Sequence, residues 1–357
     1  MPYYAGLRRE EPATRKRIAE GLIRLQKSLV AQKVPKRTLG GDLLIASWNI
    51  REFDSTKYGD RVADAYYYIA EVLNHFDLIA IQEVNDDLRA LDRVRNLLGS
   101  WWKYVVTDVS AKAGGGNDER MAFLYDGRKV TFDGLAGEIV LPPTKVDGLV
   151  LQFARTPFVC GFRSGWAKID LCTVHIYYGD DKALNPRRLE EIQKLAKFLA
   201  DRARQGAPAA GAAAPASPPT SKTLILLGDF NIFSNGDATL SAITDAGFSI
   251  PKVLTERTGT NIDKSKFYDQ IAIWRGDRFD ETERGGVFDF YEAVFRAEDE
   301  PAYENSIPKE SSGRRAAYKT WKTFQMSDHL VLWAAFKVDF AEDYLNRIAT
   351  EPPKDPS

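Results

Sequence analysis

A chain of 357 residues, 44% hydrophobic and 28% charged, has the balance of a globular protein and is long enough for one large domain or two ordinary ones. Its formal net charge of -1 excludes a global basic field, so a grip on any polyanion must come from a local patch. Cys160 and Cys172 show neither CxxC spacing nor a disulfide framework, no apolar run is long enough to span a bilayer, and Met1 to Glu11 lacks the apolar core of a secretory signal. The expectation is a cytoplasmic protein with no membrane insertion and with both thiols buried in a reducing compartment.

From Thr14 to Val34, Ile18, Leu22, Leu25 and Leu29 recur at spacings of three and four, which predicts an amphipathic helix ended by Pro35. Its other face carries Arg15, Lys16, Arg17, Arg24 and Lys27. Such a face suits nucleic acid or anionic lipid, but is expected to stay in solvent while the apolar stripe packs on the domain. Leu43 to Ile50 is the first strand, with Asn49 at its end beside Arg51. A helix over 60–75 turns Val62, Tyr66, Ile69, Val72 and Leu73 inward, and Asp77 to Val84 is a second buried strand ending in Gln82 and Glu83. An unpaired carboxylate in such a place is costly, so something there should use it. Leu88 to Leu98 is a helix stopped at Gly99, followed by a strand over 104–109 and a flexible glycine-rich turn over 113–117. Arg120 to Tyr125 and Val130 to Phe132 are expected to pair as a hairpin around Asp126-Gly127, with an irregular surface loop from Gly134 to Gly148. Arg155 to Phe162 and Trp166 to His175 read as two paired strands, and Pro186 to Ala203 as a helix with Pro in its first turn.

The segment 206–221 is almost purely Ala, Pro, Gly and Ser, the composition of a linker. Polar strand ends lie on both sides of it, so the expectation is a disordered loop inside one domain. Next comes Leu224-Ile225-Leu226-Leu227-Gly228-Asp229-Phe230-Asn231, a buried strand, a turning glycine, then a carboxylate and a carboxamide. Alone this is a strand with an Asx-type turn; at the mouth of an α/β sheet the same residues face ligands. A helix over Thr239 to Ala246, a strand over 266–274 with Asp269 near its entry, and the patch Phe288-Asp289-Phe290 follow. The stretch Arg296 to Arg315 reads as charged and mobile, Ser327-Asp328-His329 leads into the last strand at Leu330 to Phe336, and the Pro-rich end over 351–357 reads as disordered. The organisation expected is a basic helical extension over 1–37, a catalytic domain over 38–340 and a tail over 341–357.

His175 and His329 lie at strand ends, with Asn49, Glu83, Asp229, Asn231, Asp269 and Asp328 around them. One polar strand end is turn chemistry; so many together describe a site. Oxygen donors such as Glu83 with one or two aspartates suit Mg2+ or Mn2+, and Asp–His pairs fix an imidazole tautomer and raise its basicity. The sequence has no clustered His/Cys zinc spacing, P-loop, post-strand GxGxxG or serine nucleophile elbow.

The stretches Ile45-Ala46-Ser47-Trp48-Asn49-Ile50-Arg51, Asp77 to Val84, Glu119-Arg120, Arg155-Thr156-Pro157, Thr173-Val174-His175, Gly228-Asp229-Phe230-Asn231, Tyr268-Asp269-Gln270-Ile271, Phe288-Asp289-Phe290 and Ser327-Asp328-His329 occur in one order. In that order the chain resembles the endonuclease/exonuclease/phosphatase superfamily, nearest its deoxyribonuclease I-like branch, from residue 43 to about 337. The resemblance implies a four-layer α/β sandwich: two mixed β-sheets face to face with helices outside. It makes Glu83 and Asp328 metal ligands, and Asp229 and Asn231 the groups that orient the attacking water. His175 with Glu119, and His329 with Asp269, become acid/base or electrostatic groups. Arg155, Asn49 and Arg51 become phosphate-binding residues. Asn85 stands where that branch has a basic DNA contact and Asn117 where it has a stacking Tyr, so part of the DNA grip differs.

The expected function is a Mg2+- or Mn2+-dependent phosphodiesterase acting on nucleic acid, with DNA the first substrate to consider and endonucleolytic cleavage the expected mode. The alternatives are a phosphoesterase of the same fold acting on an inositol phosphate or lipid headgroup, and a non-catalytic nucleic-acid-binding scaffold. The scaffold needs a decayed catalytic position, and none of Glu83, His175, Asp229, Asn231, Asp269, Asp328 and His329 is one.

Overall fold

The computed structural model describes residues 2–53, 55, 59–110, 117–146, 149–205, 222–309 and 317–350. The disorder expected over 206–221 and 351–357, and the glycine-rich turn up to residue 116, lie outside the described residues. In chain order the elements are α1 (Pro12–Ala31), β1 (Leu43–Phe53), α2 (Ala63–Leu73), β2 (Leu78–Asn85), α3 (Arg89–Leu98), β3 (Trp102–Val106), β4 (Glu119–Asp126), β5 (Thr131–Glu138), β6 (Thr144–Val146) and β7 (Leu149–Leu151). They continue with β8 (Phe158–Ser164), β9 (Ala167–His175), α4 (Pro186–Gln205), β10 (Thr223–Asp229), α5 (Ala238–Asp245), β11 (Asp269–Trp274), β12 (Asp280–Phe288), α6 (Glu300–Tyr303), α7 (Tyr318–Gln325), β13 (Val331–Lys337) and α8 (Ala341–Thr350).

Two mixed sheets lie face to face, one ordered β12-β13-β1-β2-β4-β3 and the other β11-β10-β9-β8-β5, beside a separate β6-β7 pair. Period-two alternation explains the arrangement. In β10, Ile225 and Leu227 enter the core between the sheets, while Leu224 and Leu226 pack under α4 and α5 with Ile192, Leu195 and Ile243. In β1, Leu43 and Ile45 face the other sheet, and Leu44, Ala46, Trp48 and Ile50 pack under α1 and α2. Helices outside both sheets complete the four-layer sandwich.

The face between the sheets also locates the site. On each central strand its residues change from aliphatic to polar toward the same end: Leu43, Ile45, Ser47, Asn49 in β1; Leu78, Ala80, Gln82 in β2; Ile169, Leu171, Thr173, His175 in β9; Ile225, Leu227, Asp229 in β10. β1 runs parallel to β2 and β9 to β10, while β11 is antiparallel to β10, so Asp229 lies opposite both His175 and Asp269. Gln82 Nε2 donates to Thr173 Oγ1 across the gap at 2.9 Å, so the buried amide has a partner where the aliphatic core ends.

The N-terminal helix is part of this packing. Ile18, Leu22, Leu25 and Leu29 of α1 are buried in the core under the first sheet. Its basic face is only partly solvated: Arg17 holds Asp64 through two hydrogen bonds of 2.7 and 3.0 Å, and Arg24 Nε donates to Ala293 O at 2.9 Å. Among the described residues, no helix is long and apolar enough to cross a membrane. Cys160 and Cys172 are buried and free, and burial pushes the Cys160 thiol up to about 12.

Three local expectations are corrected, and one strand is added. β4 and β5 do not form a hairpin: β4 pairs with β2 and β3, whereas β5 pairs with β8 in the other sheet. The turn between them is pinned by Asp126, which binds Arg37 and Arg128, and it carries fully buried Val130 from one sheet to the other. The expected loop from Gly134 begins as strand, because β5 continues to Glu138 past a register shift between Phe132 and Ala136. That shift is centred on Gly134 at φ +94. β12 escaped notice because its Asp280-Glu281-Thr282-Glu283-Arg284 half is charged, as edge strands often are. The stretch from Arg296 is ordered as far as residue 309, with Arg296 paired to Asp299 and Tyr303 buried on Phe295 and Trp321; residues 310–315 lie outside the described residues.

Candidate active site

Glu83 reaches the cleft through a break in the alternation. The β1/β2 register slips between Asn49 and Phe53, and the β2/β4 register between Ile81 and Val84. At that break Glu52 and Glu83 take left-handed backbone, φ +39 and +59. Each such residue costs about 1–2 kcal/mol and is held only where its surroundings fix it. Here Glu83 Oε2 accepts the Glu52 N–H at 2.7 Å, and Oε1 accepts from Asn49 Nδ2 at 2.9 Å.

Asp229 is the centre of the arrangement and is 1% exposed. Its Oδ1 accepts the Asn231 N–H at 2.9 Å. Three nitrogens converge on its Oδ2: Asn49 Nδ2 at 3.0 Å, His175 Nε2 at 3.5 Å and His329 Nε2 at 3.7 Å. Burial raises this carboxyl, but His329, His175 and the two donors outweigh it and hold Asp229 below the ordinary carboxylate range.

The two histidines are supported differently. His329 Nδ1 donates to Asp269 Oδ2 at 2.9 Å, which leaves Nε2 facing Asp229. Burial opposes the charged ring, yet Asp269 and Asp229 outweigh it and lift the His329 pKa well above the ordinary 6.5. Its backbone is clamped, the N–H donating to Ser327 Oγ at 2.9 Å and the carbonyl accepting from Trp48 Nε1 at 2.9 Å. His175 Nδ1 lies 3.3 Å from Glu119 Oε1, off the hydrogen-bonding line. Burial and Arg155 lower the pKa of His175, and Glu119 and Asp229 more than offset them. Burial raises Glu119, but His175 and Arg155 bring it below its usual value, and Arg155 Nε donates directly to it.

An open cleft of about 720 Å³ lies over this layer, lined by Arg51, Glu83, Glu119, Asp328 and His329 together with Asn85 and Asn117. Asn49, His175, Asp229 and Asp269 are buried behind it, in contact with those lining residues. Arg51 stays on the cleft wall, its guanidinium over the Phe324 ring, 2.6 Å from Thr323 Oγ1 and 3.5 Å from Asp328 Oδ2. Arg155 is placed behind Glu119, on a separate small cavity of about 30 Å³. Asn231 is at φ +53 and directs its Nδ2 to Ile176 O at 2.8 Å.

The donor set fits a hard cation. Ligand atoms of Glu83, Glu119 and His175 lie within 4.8 Å of one another. Burial, Glu119 and Asp328 raise the Glu83 pKa, which is the strain of crowded negative charge that a cation relieves. Asn49 Oδ1 is buried without a hydrogen-bond partner next to Glu83. Asp328 lines the same cleft but lies outside that tight trio. Asp229, Asp269 and His329 also cluster, but His329 Nδ1 is already bonded to Asp269 and its Nε2 stands 3.7 Å from Asp229, an ion-pair distance.

Sequence reasoning passed over Ser327, whose hydroxyl donates to Asn49 O at 2.6 Å and accepts from Arg51 and His329, and Trp48, which holds His329. Both sit inside quoted motifs, so the signal was present without a role attached. Tyr268, its ring 5.5 Å from that of His329, is a third.

No family model matches the chain, and no curated protein matches it. Solved structures do. An endonuclease/exonuclease/phosphatase family protein from Bacteroides thetaiotaomicron is 18% identical with a TM-score of 0.54, covering 84% of this chain and 98% of its own. D. rerio TDP2 complexed with a single-strand DNA product is 14% identical with a TM-score of 0.51, covering 83% and 99%. The chain has the endonuclease/exonuclease/phosphatase fold. The human Nocturnin catalytic domain with bound sulfate is similar as well, 13% identical with a TM-score of 0.50, covering 83% and 94%. The four layers are therefore those of this fold, as the ordered motifs implied.

Proposed function

We propose that the chain is a divalent-metal-dependent phosphodiesterase that cleaves nucleic acid as an endonuclease. The observation that carries the reading is the convergence of Asn49, His175 and His329 on Asp229 Oδ2, with Glu83 bonded to the same Asn49 amide. Similarity to a TDP2 structure holding a DNA product, and the deoxyribonuclease-like motifs, support nucleic acid as the substrate.

Asp229, ionised and fixed by Asn49 and the Asn231 N–H, orients the attacking water and takes its proton. His329, whose pKa Asp269 and Asp229 raise, and His175, whose pKa Glu119 and Asp229 raise, serve as acid or electrostatic groups toward the phosphate, and one of them protonates the leaving oxygen. Arg155 keeps Glu119 ionised and aligned. Glu83, with Asp328 lining the same cleft, would hold Mg2+ or Mn2+, which would supply charge neutralisation for the phosphate.

A second reading is a small phosphoester such as an inositol phosphate, which needs fewer phosphate contacts than a nucleic-acid strand and so suits a rim poor in cations. Asn85, Asp86, Asn117 and Asp118 stand on it, and Arg51 is the single arginine lining it among the described residues. A screen with Mg2+ and Mn2+ over plasmid, single-stranded DNA, RNA and inositol phosphates separates the two, with Asp229→Ala run alongside. Nicked plasmid that disappears with EDTA or His175→Ala supports the nuclease. Turnover of inositol phosphates alone selects the second reading, and no turnover of any substrate defeats both.

A further inference from the structure

The site occupies one end of the sheets; two unmatched apolar surfaces occupy the other. The first is α8, which buries none of its 10 residues. Ala341, Tyr344, Leu345 and Ile348 form one stripe at helical spacing, with Tyr344, Leu345 and Ile348 exposed by 38%, 64% and 46%. Its first turn is acidic through Glu342 and Asp343, the second of which pairs with Lys337 of its own chain at 2.7 Å. The second surface is a groove of about 780 Å³ along the outer flank of α1 and the segment that follows it. Ile23, Val30 and Leu39 line it, exposed by 53%, 65% and 59%, over buried Leu29 and Val34, and Lys27 and Lys36 stand on its rim.

These surfaces complement each other: an apolar helix stripe with an acidic first turn, and an apolar groove with a lysine rim. They do not meet within one chain. The Trp166 N–H donates to Val338 O at 2.9 Å, and the Tyr344 and Trp166 rings lie 5.3 Å apart, so α8 is tied to the β8–β9 turn of the second sheet. The groove lies behind the first sheet, on α1 and the end of α2. We infer that α8 of one copy docks in the α1 groove of a second copy, and that the exchange is reciprocal, giving a two-fold dimer. Val34 and Leu39 precede the Leu43 end of β1, and α8 follows the Lys337 end of β13, which pairs with that same end through Leu43 and Phe336. The dimer therefore leaves both clefts open.

Sedimentation velocity of the full chain from about 1 to about 200 µM tests this, a range that brackets weak self-association. The wild type should shift from monomer toward dimer with concentration. Leu345→Asp with Ile348→Asp should weaken association at least tenfold, as should Val30→Glu with Leu39→Glu, and turnover should not change. Glu342→Lys should also weaken it, and Lys27→Glu with Lys36→Glu in the same chain should restore it. A wild type that stays monomeric at the top of the range overturns the inference, and so does a dimer insensitive to both apolar pairs. Should one pair fail to fold by circular dichroism, the other still decides. A monomer that floats with anionic phosphatidylserine vesicles through Val30 and Leu39 would assign the groove to lipid and overturn it too.

Discussion

Asn49 Nδ2 lies 3.0 Å from Asp229 Oδ2 and 2.9 Å from Glu83 Oε1, so one carboxamide in the first sheet aligns a carboxylate in each sheet, 180 residues separating it from Asp229. The amide is 1% exposed, and its orientation is decided by chemistry: only the NH2 end can face two carboxylates. Asn49→Ala should lower kcat at least about a hundredfold and cost about 1.5–3 kcal/mol, the range for a buried hydrogen bond to a charged group. Asn49→Asp should be worse on both counts, because it sets a third carboxylate between the first two. Plasmid nicking and thermal melting of the three proteins check the order; equal melting of wild type and Asn49→Asp would contradict it.

The His329–Asp269 pair gives a pH signature in the metal-free protein. His329 is protonated in the fold above its ordinary 6.5, so its contribution is complete below about pH 6.5 and fades as pH rises through the higher folded value. Asp229 works in the opposite direction, its contribution present above about pH 3.8 and lost as pH falls through its lower folded value. Melting in EDTA should therefore peak between these limits. Asp269→Asn should melt several degrees lower at pH 6 and approach the wild type as pH rises. An NMR titration showing His329 at 6.5 or below would contradict the assignment.

These two relationships were legible in the sequence to different degrees. The aliphatic-to-polar rows could be read, because inward positions recur every second residue and Asn49, His175 and Asp229 simply continue rows begun by Leu43, Ile169 and Ile225. Which ends came together could not be read from one strand. It follows from the β1/β2 and β9/β10 parallel pairings, which the order of motifs supplied through resemblance. The change of sheet between β4 and β5 was hidden, since a tight turn between two apolar runs has the same local pattern whether the strands pair or part. The bulge that aims Glu83 left no pattern either, because left-handed Glu is set by its partners and not by its type.

Glu83 should behave as a metal ligand under strain. In EDTA, Glu83→Gln removes a charge crowded by Glu119 and Asp328, but its one amide oxygen can accept from only one of Glu52 N–H and Asn49 Nδ2, so the two effects oppose and the response to metal is the readout. Mg2+ or Mn2+ should stabilise the wild type by about 2.7 kcal/mol at a hundredfold excess over Kd, raising its melting temperature, and leave Glu83→Gln unmoved. Differential scanning fluorimetry over a metal series reads this without any substrate. Equal shifts in both proteins would place the metal elsewhere.

The N-terminal helix is predicted to be a stability element. Leu25 is fully buried under the first sheet, so Leu25→Ala should cost about 2–5 kcal/mol, the usual range for a core leucine. Turnover per folded molecule should not change, since α1 contributes no residue to the cleft. Urea titration with an activity assay well below the midpoint separates the two effects. A loss of turnover at full folding would give the helix a part in catalysis.

Gly228 tests how tightly the strand pairing sets the site. It lies opposite Val174 in the β9/β10 ladder, one step before Asp229 opposite His175. At φ +137 a side chain is already strained, and a Cβ there would come within 2.2 Å of Val174 O and 2.8 Å of Val174 N. Backbone cannot yield as a flexible side chain does, so Gly228→Ala has to part the strands beside the Asp229–His175 pair. The expected result is about 3 kcal/mol or more of lost stability, with a fall in kcat that persists at temperatures where the variant is folded. Gly137 in β5, where an added Cβ meets nothing within 4 Å, is the control: Gly137→Ala should leave both quantities unchanged. If Gly228→Ala matched that control in melting and turnover, the close approach of β9 and β10 would not be what sets the distance between Asp229 and His175.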